Sequence, residues 1–352
     1  MCNQKKLNHF IIAMGKKKIT SKDIAEELGV SRSVVSFVLN GKNKEMRISD
    51  KLTERVLKHV EARNYQMNHL AQSLKTGRTM TIGLIVADIA NPFFANIASE
   101  IEKEVRRKGY SVFFCSSNEN KKNFKFQLEN FKNRQVDGLI LIPPINSDKI
   151  LTLLGSQDIP FVIMDRVFEN LGANSVNINN HKAAYDATTR LINNGRKKVA
   201  LINVNNELIT MSDRTNGYID AIADNGMEAN PDLLQQLKYS NVAEDVNEAV
   251  NKVILNNADA IIFTTNKLGV QGVQAISNKG KRIPEDIAVI SFDDTTAYAV
   301  AKTSITAIKQ PVAQMCKEAV RILMNSIDKS ESNIDTEQVI LDASFIIRES
   351  CP

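Results

Sequence analysis

From Met80 onward, short runs of β-branched and aromatic residues alternate with amphipathic stretches, which restricts most of the chain to a parallel α/β architecture. The runs predict strands over residues 81–87, 111–116, 138–142, 161–165, 198–203, 260–265 and 287–292. Helical periodicity falls between them, near residues 94–108, 121–134, 181–194, 213–225, 244–256 and 266–279. So many strand–helix units overfill one open sheet. Two stacked, doubly wound lobes accommodate them, and such sheets bind small molecules at the carboxyl ends of their strands.

The preceding segment has a different grain. Three short helical patterns occupy residues 20–63, each with its own start and stop signals. Thr20 is placed to cap the first helix, with Asp23 three residues on, an apolar stripe of Ile24, Ala25 and Leu28, and Gly29 where a left-handed residue is wanted. Ser31 caps a second helix expected to bury Val34, Val35, Val38 and Leu39, with Arg32, Ser33, Ser36 and Phe37 facing outward until Asn40-Gly41 stops it. Ser49 caps a third, burying Leu52, Val56 and Val60. Two short helices separated by a tight turn have helix-turn-helix spacing, in which the second helix lies in the DNA major groove; generic helical-hairpin packing is the blander alternative.

Charge separates the same two regions. Residues 1–78 hold 16 Lys and Arg against 7 Asp and Glu, whereas residues 79–352 hold 29 against 33. Because neutralised phosphates supply most non-specific DNA affinity, a basic head on a mildly acidic body points to nucleic-acid binding by the head.

A length of 352 residues suits two or three domains. No apolar run approaches the ~18–20 residues of a membrane helix, and the stretch Phe10 to Met14 is too short for the core of an export signal. The four cysteines, Cys2, Cys115, Cys316 and Cys351, have no metal-binding spacing, as expected of a reduced cytoplasmic protein without a metal or other cofactor. Met14-Gly15 followed by three lysines reads as an alternative start, with residues 1–18 as a disordered extension.

The segments Thr20-Ser21-Lys22-Asp23-Ile24-Ala25, Gly29-Val30-Ser31 and Val34-Val35-Ser36, with Arg47 to Tyr65, Asn68 to Leu74 and the following Ile82-Gly83-Leu84-Ile85, resemble the lactose repressor/galactose repressor family. The resemblance covers nearly the whole chain from residue 19. It implies a helix-turn-helix head over 19–66, a hinge helix or linker over 67–78, and an effector-binding core over 79–352 built from two lobes of periplasmic-binding-protein type. The N-lobe is expected at about 79–179 and 311–340, the C-lobe at about 180–310 and 341–352. Carried over by position, Thr20, Ser31, Ser36, Arg47, Ser49, Tyr65 and Asn68 position the head on double-stranded DNA, Arg32 and Ser33 lead specificity, and Leu74 matches the hinge leucine that wedges between base pairs. A homodimer on a pseudo-palindromic operator follows.

In the core, Phe94 of Asn91-Pro92-Phe93-Phe94, Asp165 beside Arg166, Arg214, Asn266, Phe292, Asp293 and Gln310 fall where the family gathers ligand-binding groups. Carboxylate, guanidinium and amide groups pair with adjacent hydroxyls, which suits a sugar or sugar derivative. Four departures stand out. Phe37 replaces a common arginine, the loop Gly41 to Glu45 is longer and carries Lys42 and Lys44, Lys267 stands where aspartate is frequent, and Ser291 where glycine is usual. Lys267 would favour a sugar acid or sugar phosphate.

Catalysis is not expected. Asp293-Asp294 is a carboxylate pair, but no phosphate-binding loop, nucleophile elbow or zinc-protease motif occurs, and His9, His59, His69 and His181 lack matching partners. The expected function is a repressor controlled by an effector between the lobes; the alternative is a global regulator whose core binds a partner protein.

Overall fold

The computed structural model describes residues 19–65, 73, 76–157, 159–168, 171–204, 208–237, 242–328 and 336–352. The chain divides into two compact units, residues 1–77 and 78–352. The expected N-terminal extension, Asn68 and Leu74 lie outside the described residues.

In the first unit, α1 (Ser21–Leu28), α2 (Arg32–Leu39) and α3 (Asp50–Ala62) enclose Ile24, Ala25, Leu28, Val35, Val38 and Val56. Thr20 caps α1 in a reciprocal capping box with Asp23, and Gly29 ends it at φ 66°, a left-handed conformation a Cβ disfavours. The Ser31 hydroxyl accepts from the Val34 amide, and that of Ser49 from the Leu52 amide. Leu39, Leu52 and Val60 pack on this core partly buried. Val34, expected inside, is half-buried and outside the cluster, because the inward stripe of this eight-residue helix is centred on Val35 and Val38 and Val34 falls at its edge. Glu27 joins α1 to α3, taking a hydrogen bond from His59 at 2.6 Å and a forked pair from Arg63.

The second unit contains two six-stranded sheets. The first orders its strands β11-β5-β4-β3-β1-β2, all parallel: β1 (Thr81–Val86), β2 (Ser111–Ser116), β3 (Gly138–Leu141), β4 (Phe161–Met164), β5 (Ser175–Ile178) and β11 (Gln338–Leu341). Between these strands, α4 (Pro92–Arg107), α5 (Lys121–Asn133) and α6 (Asp148–Gly155) cover its faces. The second sheet orders β12-β10-β9-β8-β6-β7: β6 (Val199–Val204), β7 (Leu234–Leu237), β8 (Ala260–Phe263), β9 (Ala288–Phe292), β10 (Thr306–Lys309) and the antiparallel β12 (Ser344–Ile346). Its helices are α7 (Asn180–Asn193), α8 (Ile209–Asp224), α9 (Val242–Leu255), α10 (Asn266–Asn278) and the short α11 (Thr296–Val300). Central strands such as β3, β6 and β8 are buried throughout, as parallel strands covered on both faces must be.

The sheets therefore hold five strands beyond those predicted: β5, β7, β10, β11 and β12. All have three or four residues and several lie at edges, so they carry too little apolar alternation to announce themselves. The last helix, α12 (Val312–Asp328), follows β10 of the second sheet yet packs against α4 on the first. The chain thus passes between lobes after β5, after β10 and between β11 and β12. Each sheet lies between two hydrophobic clusters. No helix among the described residues is long and apolar enough to cross a membrane.

Candidate functional site

The strand order is the same in both lobes, and a cleft opens where the carboxyl ends of β1, β4, β6, β9 and β10 meet. Phe94, Asp165, Arg214, Asp293 and Gln310 all line it. Asp165 follows β4 and Asp293 follows β9, each left-handed at φ 63°, so each carboxylate turns out of its sheet at the strand end.

Arg214 is the centre of the C-lobe side. It is 3% exposed, with Nε donating to Asn180 Oδ1 at 2.8 Å and Nη1 to the Thr264 carbonyl. The guanidinium carbon lies 4.0 Å from the ring centroid of Phe292, a cation–π contact. Phe292 itself is fully buried and does not line the cleft; it is the platform beneath Arg214. Gln310 donates through Nε2 to Asp293 Oδ1 at 2.7 Å, while its Oε1 is buried without a hydrogen-bond partner among the described residues.

Burial governs the electrostatics. It pushes Asp165 up from 3.8 to about 7, against the pull of Arg166 and Arg214, with Asp293 and Glu119 adding to the rise. Asp293 is raised as well, chiefly by burial, with Arg214 and the Gln310 hydrogen bond opposing. Burial lowers Arg214, and Asp293, Asp165 and Asp213 offset that effect. On the N-lobe side Arg166, 4% exposed, forks onto Glu119 at 2.8 and 2.5 Å and donates to the Pro143 carbonyl.

Asn266 does not line the cleft. It is 5% exposed and exchanges two hydrogen bonds with Asn91 of the other lobe, at 2.7 and 3.2 Å. Behind it the buried Tyr298 hydroxyl lies 2.6 Å from Ser291 Oγ and donates to the Asn266 carbonyl at 3.2 Å. Gly269 accommodates this group, since a Cβ there would stand 2.1 Å from the Tyr298 hydroxyl oxygen. Lys267 reaches the rim. Glu119, Leu208, Thr210 and Met211 also line the cleft and were not predicted. For Glu119 a signal existed, because it follows the carboxyl end of β2.

In the head, Thr20, Ser31 and Ser49 stand at the N-termini of α1, α2 and α3, where unpaired amides and the helix dipole favour phosphate. Arg32 donates through Nε to Ser21 at 3.0 Å, Ser33 is exposed, and Ser36 lies within reach of Asn40 Nδ2. Arg47 is exposed at φ 53°, and Tyr65 packs on the head's core. The long loop is ordered by its own backbone, with amides of Met46, Arg47 and Ile48 donating to carbonyls of Lys42, Lys44 and Asn43. Among the described residues, no cluster of His, Cys, Asp and Glu could hold a metal ion.

A helix-turn-helix head followed by two like-ordered lobes with an acid, guanidinium and amide cleft defines a DNA-binding regulator with a ligand-sensing core. Known sequences agree on both parts. The profile of the periplasmic binding proteins and sugar binding domain of LacI family matches residues 79–349, and that of the bacterial regulatory proteins of the lacI family matches residues 20–68. The chain belongs to the LacI family of transcription regulators. It is 30% identical over 334 residues to the HTH-type transcriptional repressor PurR of Histophilus somni, covering 94% of this chain and 98% of that one. The ribose operon repressor of Haemophilus influenzae is 29% identical over 336 residues, with the same coverage. A crystal structure of the lac repressor dimer bound to operator and an anti-inducer superposes with a TM-score of 0.80 at 22% identity, covering 95% of this chain and 99% of that one, a likeness of fold.

Proposed function

We propose that the chain is a repressor whose affinity for a pseudo-palindromic operator is set by a sugar or sugar derivative bound in the core cleft. The observation that carries this reading is the convergence of Asp165, Asp293 and Gln310, at strand ends of the two lobes, with Arg214 of α8, both carboxylates being raised by burial. Two carboxylates and an amide oxygen lacking a partner favour a ligand rich in hydroxyl donors. Phe94 supplies apolar surface, and the buried Phe292 ring fixes the Arg214 guanidinium beside it.

Operator binding is assigned to Thr20, Ser31, Arg32, Ser33, Ser36, Arg47, Ser49 and Tyr65, with Asn68 and Leu74 completing the hinge. Effector binding is assigned to Phe94, Asp165, Arg214, Asp293 and Gln310, which line the cleft; Phe292 acts behind them by holding Arg214, and Asn266 by pairing with Asn91, a pair that ties closure of the lobes to occupancy. Ligand biases one arrangement of the lobes and so the affinity for DNA; release from DNA by ligand is the sense proposed. The protein acts in the cytoplasm as a homodimer, since a two-fold operator requires one, and catalyses no reaction.

Selection of bound sequences from random duplex DNA, repeated at several salt concentrations, tests this. A recovered pseudo-palindrome with a steep salt dependence supports head and dimer together. Absence of enrichment at every salt concentration overturns the proposal.

A further inference from the structure

The outward face of α2 has an unusual chemistry for a DNA-reading helix. Val35 and Val38 face the head's core, so residues 33 and 37, one turn apart, share the opposite side with Ser36 near them. The polar groups there are short or engaged within the head. Arg32 is tied through Nε to Ser21, Asn40 donates to the Ser36 carbonyl at 2.7 Å, and Ser33 carries one hydroxyl on one carbon. The large side chain on that face is Phe37. Of the phenylalanine and tyrosine rings among the described head residues, Tyr65 packs against the core, whereas Phe37 is half-exposed and outside it.

In the major groove guanine, cytosine and adenine present hydrogen-bonding atoms to a phenyl ring brought against their edges, whereas thymine presents a methyl group beside its O4 acceptor. Covering the polar edge of guanine, cytosine or adenine with a phenyl ring removes its water and returns no hydrogen bond. We propose that Phe37 is a specificity-determining residue that reads a thymine methyl group in each operator half-site. This rests on the DNA-binding reading above, with α2 in the groove.

The test uses the full chain and two random duplex libraries, one made with thymidine and one with deoxyuridine, which lacks only the methyl. From the thymidine library the protein enriches thymine at one position of each half-site. From the deoxyuridine library it loses that preference and keeps the others. On an enriched duplex, replacing this thymine by uracil weakens binding about fourfold per half-site, the worth of one buried methyl group. Phe37→Ala shows the same weakening on the thymine duplex and no further loss on the uracil duplex, while unchanged preferences elsewhere report a folded head. Equal affinity of the native protein for both duplexes, or a Phe37→Ala variant that still distinguishes them, overturns the assignment and leaves the regulator reading intact. If neither library is enriched, the operator-binding reading fails and this proposal fails with it.

Discussion

Asp165 and Asp293 are counterparts across the pseudo-symmetry of the core. Each follows the third strand in from the edge of an identically ordered sheet, each has φ 63°, and each donates its amide to the neighbouring strand, Asp165 to the Val176 carbonyl at 3.1 Å and Asp293 to that of Ile308 at 2.9 Å. Their side chains have diverged. Asp293 is held by Gln310, whereas Asp165 sits between Arg166 and Arg214 and is pushed up to about 7.

That difference gives a pH dependence with a definite sign. Between 3.8 and about 7 the folded core holds a proton on Asp165 that the unfolded chain has released. Stability therefore falls as pH rises through this window and levels off above it. Asp165→Asn removes this contribution and raises the melting temperature at pH 8 by roughly 2–4 °C for each kcal/mol relieved. Thermal unfolding of both proteins from pH 5 to 8 reads it, and an unchanged slope in the variant would count against the assignment.

Arg214 ties together Asn180, the Thr264 carbonyl and the Phe292 ring, with Asp293 near enough to stabilise its charge. Arg214→Met strands buried polar partners and costs about 3–5 kcal/mol in urea unfolding. Arg214→Lys keeps the charge but lacks the planar fork, so it recovers only part of the loss. Full recovery by lysine would mean that charge alone matters.

The Asn91–Asn266 pair bridges the lobes, and Asn91→Ala removes both of its hydrogen bonds, each worth about 0.5–1.5 kcal/mol. The variant core opens, and its radius of gyration by small-angle X-ray scattering increases. Identical scattering profiles would show that closure is held elsewhere.

Gly269 packs under Tyr298 and Ser291, with a Cβ 2.1 and 2.2 Å from their oxygens. Gly269→Ala destabilises by about 1–3 kcal/mol. Because the clash is with a hydroxyl, Tyr298→Phe in the same chain relieves part of it, a coupling of at least about 0.5 kcal/mol in a double-mutant cycle. Strict additivity would refute the contact.

What could be read from the sequence follows the range of the interactions. Caps at Thr20, Ser31 and Ser49 and the turn at Gly29 involve neighbours within three or four residues, and the structure has them as expected. Val34 depended on which residues of α2 meet the neighbouring helices, and helical periodicity alone placed it inside. The strand β7 reads Leu-Gln-Gln-Leu and hides among polar residues because only its register with β6 makes it a strand. In the cleft, Asp165 and Asp293 were placed by the family resemblance, and each follows an apolar run that forms a strand, β4 and β9. Glu119, Asn180 and Thr264 act through partners 34 to 50 residues away, beyond any local pattern.

The threading of the chain also sets the order in which the core can be completed during synthesis. The first sheet waits for β11 at Gln338–Leu341 and the second for β12 at Ser344–Ile346, so the first is finished only when more than two hundred and fifty residues have emerged from the start of its first strand, and the second only after nearly one hundred and fifty. Until then each lobe lacks an edge strand, and α4 lacks the cover of α12 until just before. A message cut short after residue 311 would release a protein with a complete head and two unfinished lobes. Sensing would thus be lost before the reading of DNA, and the codons for α12, β11 and β12 decide whether a DNA-binding chain is also a responsive one.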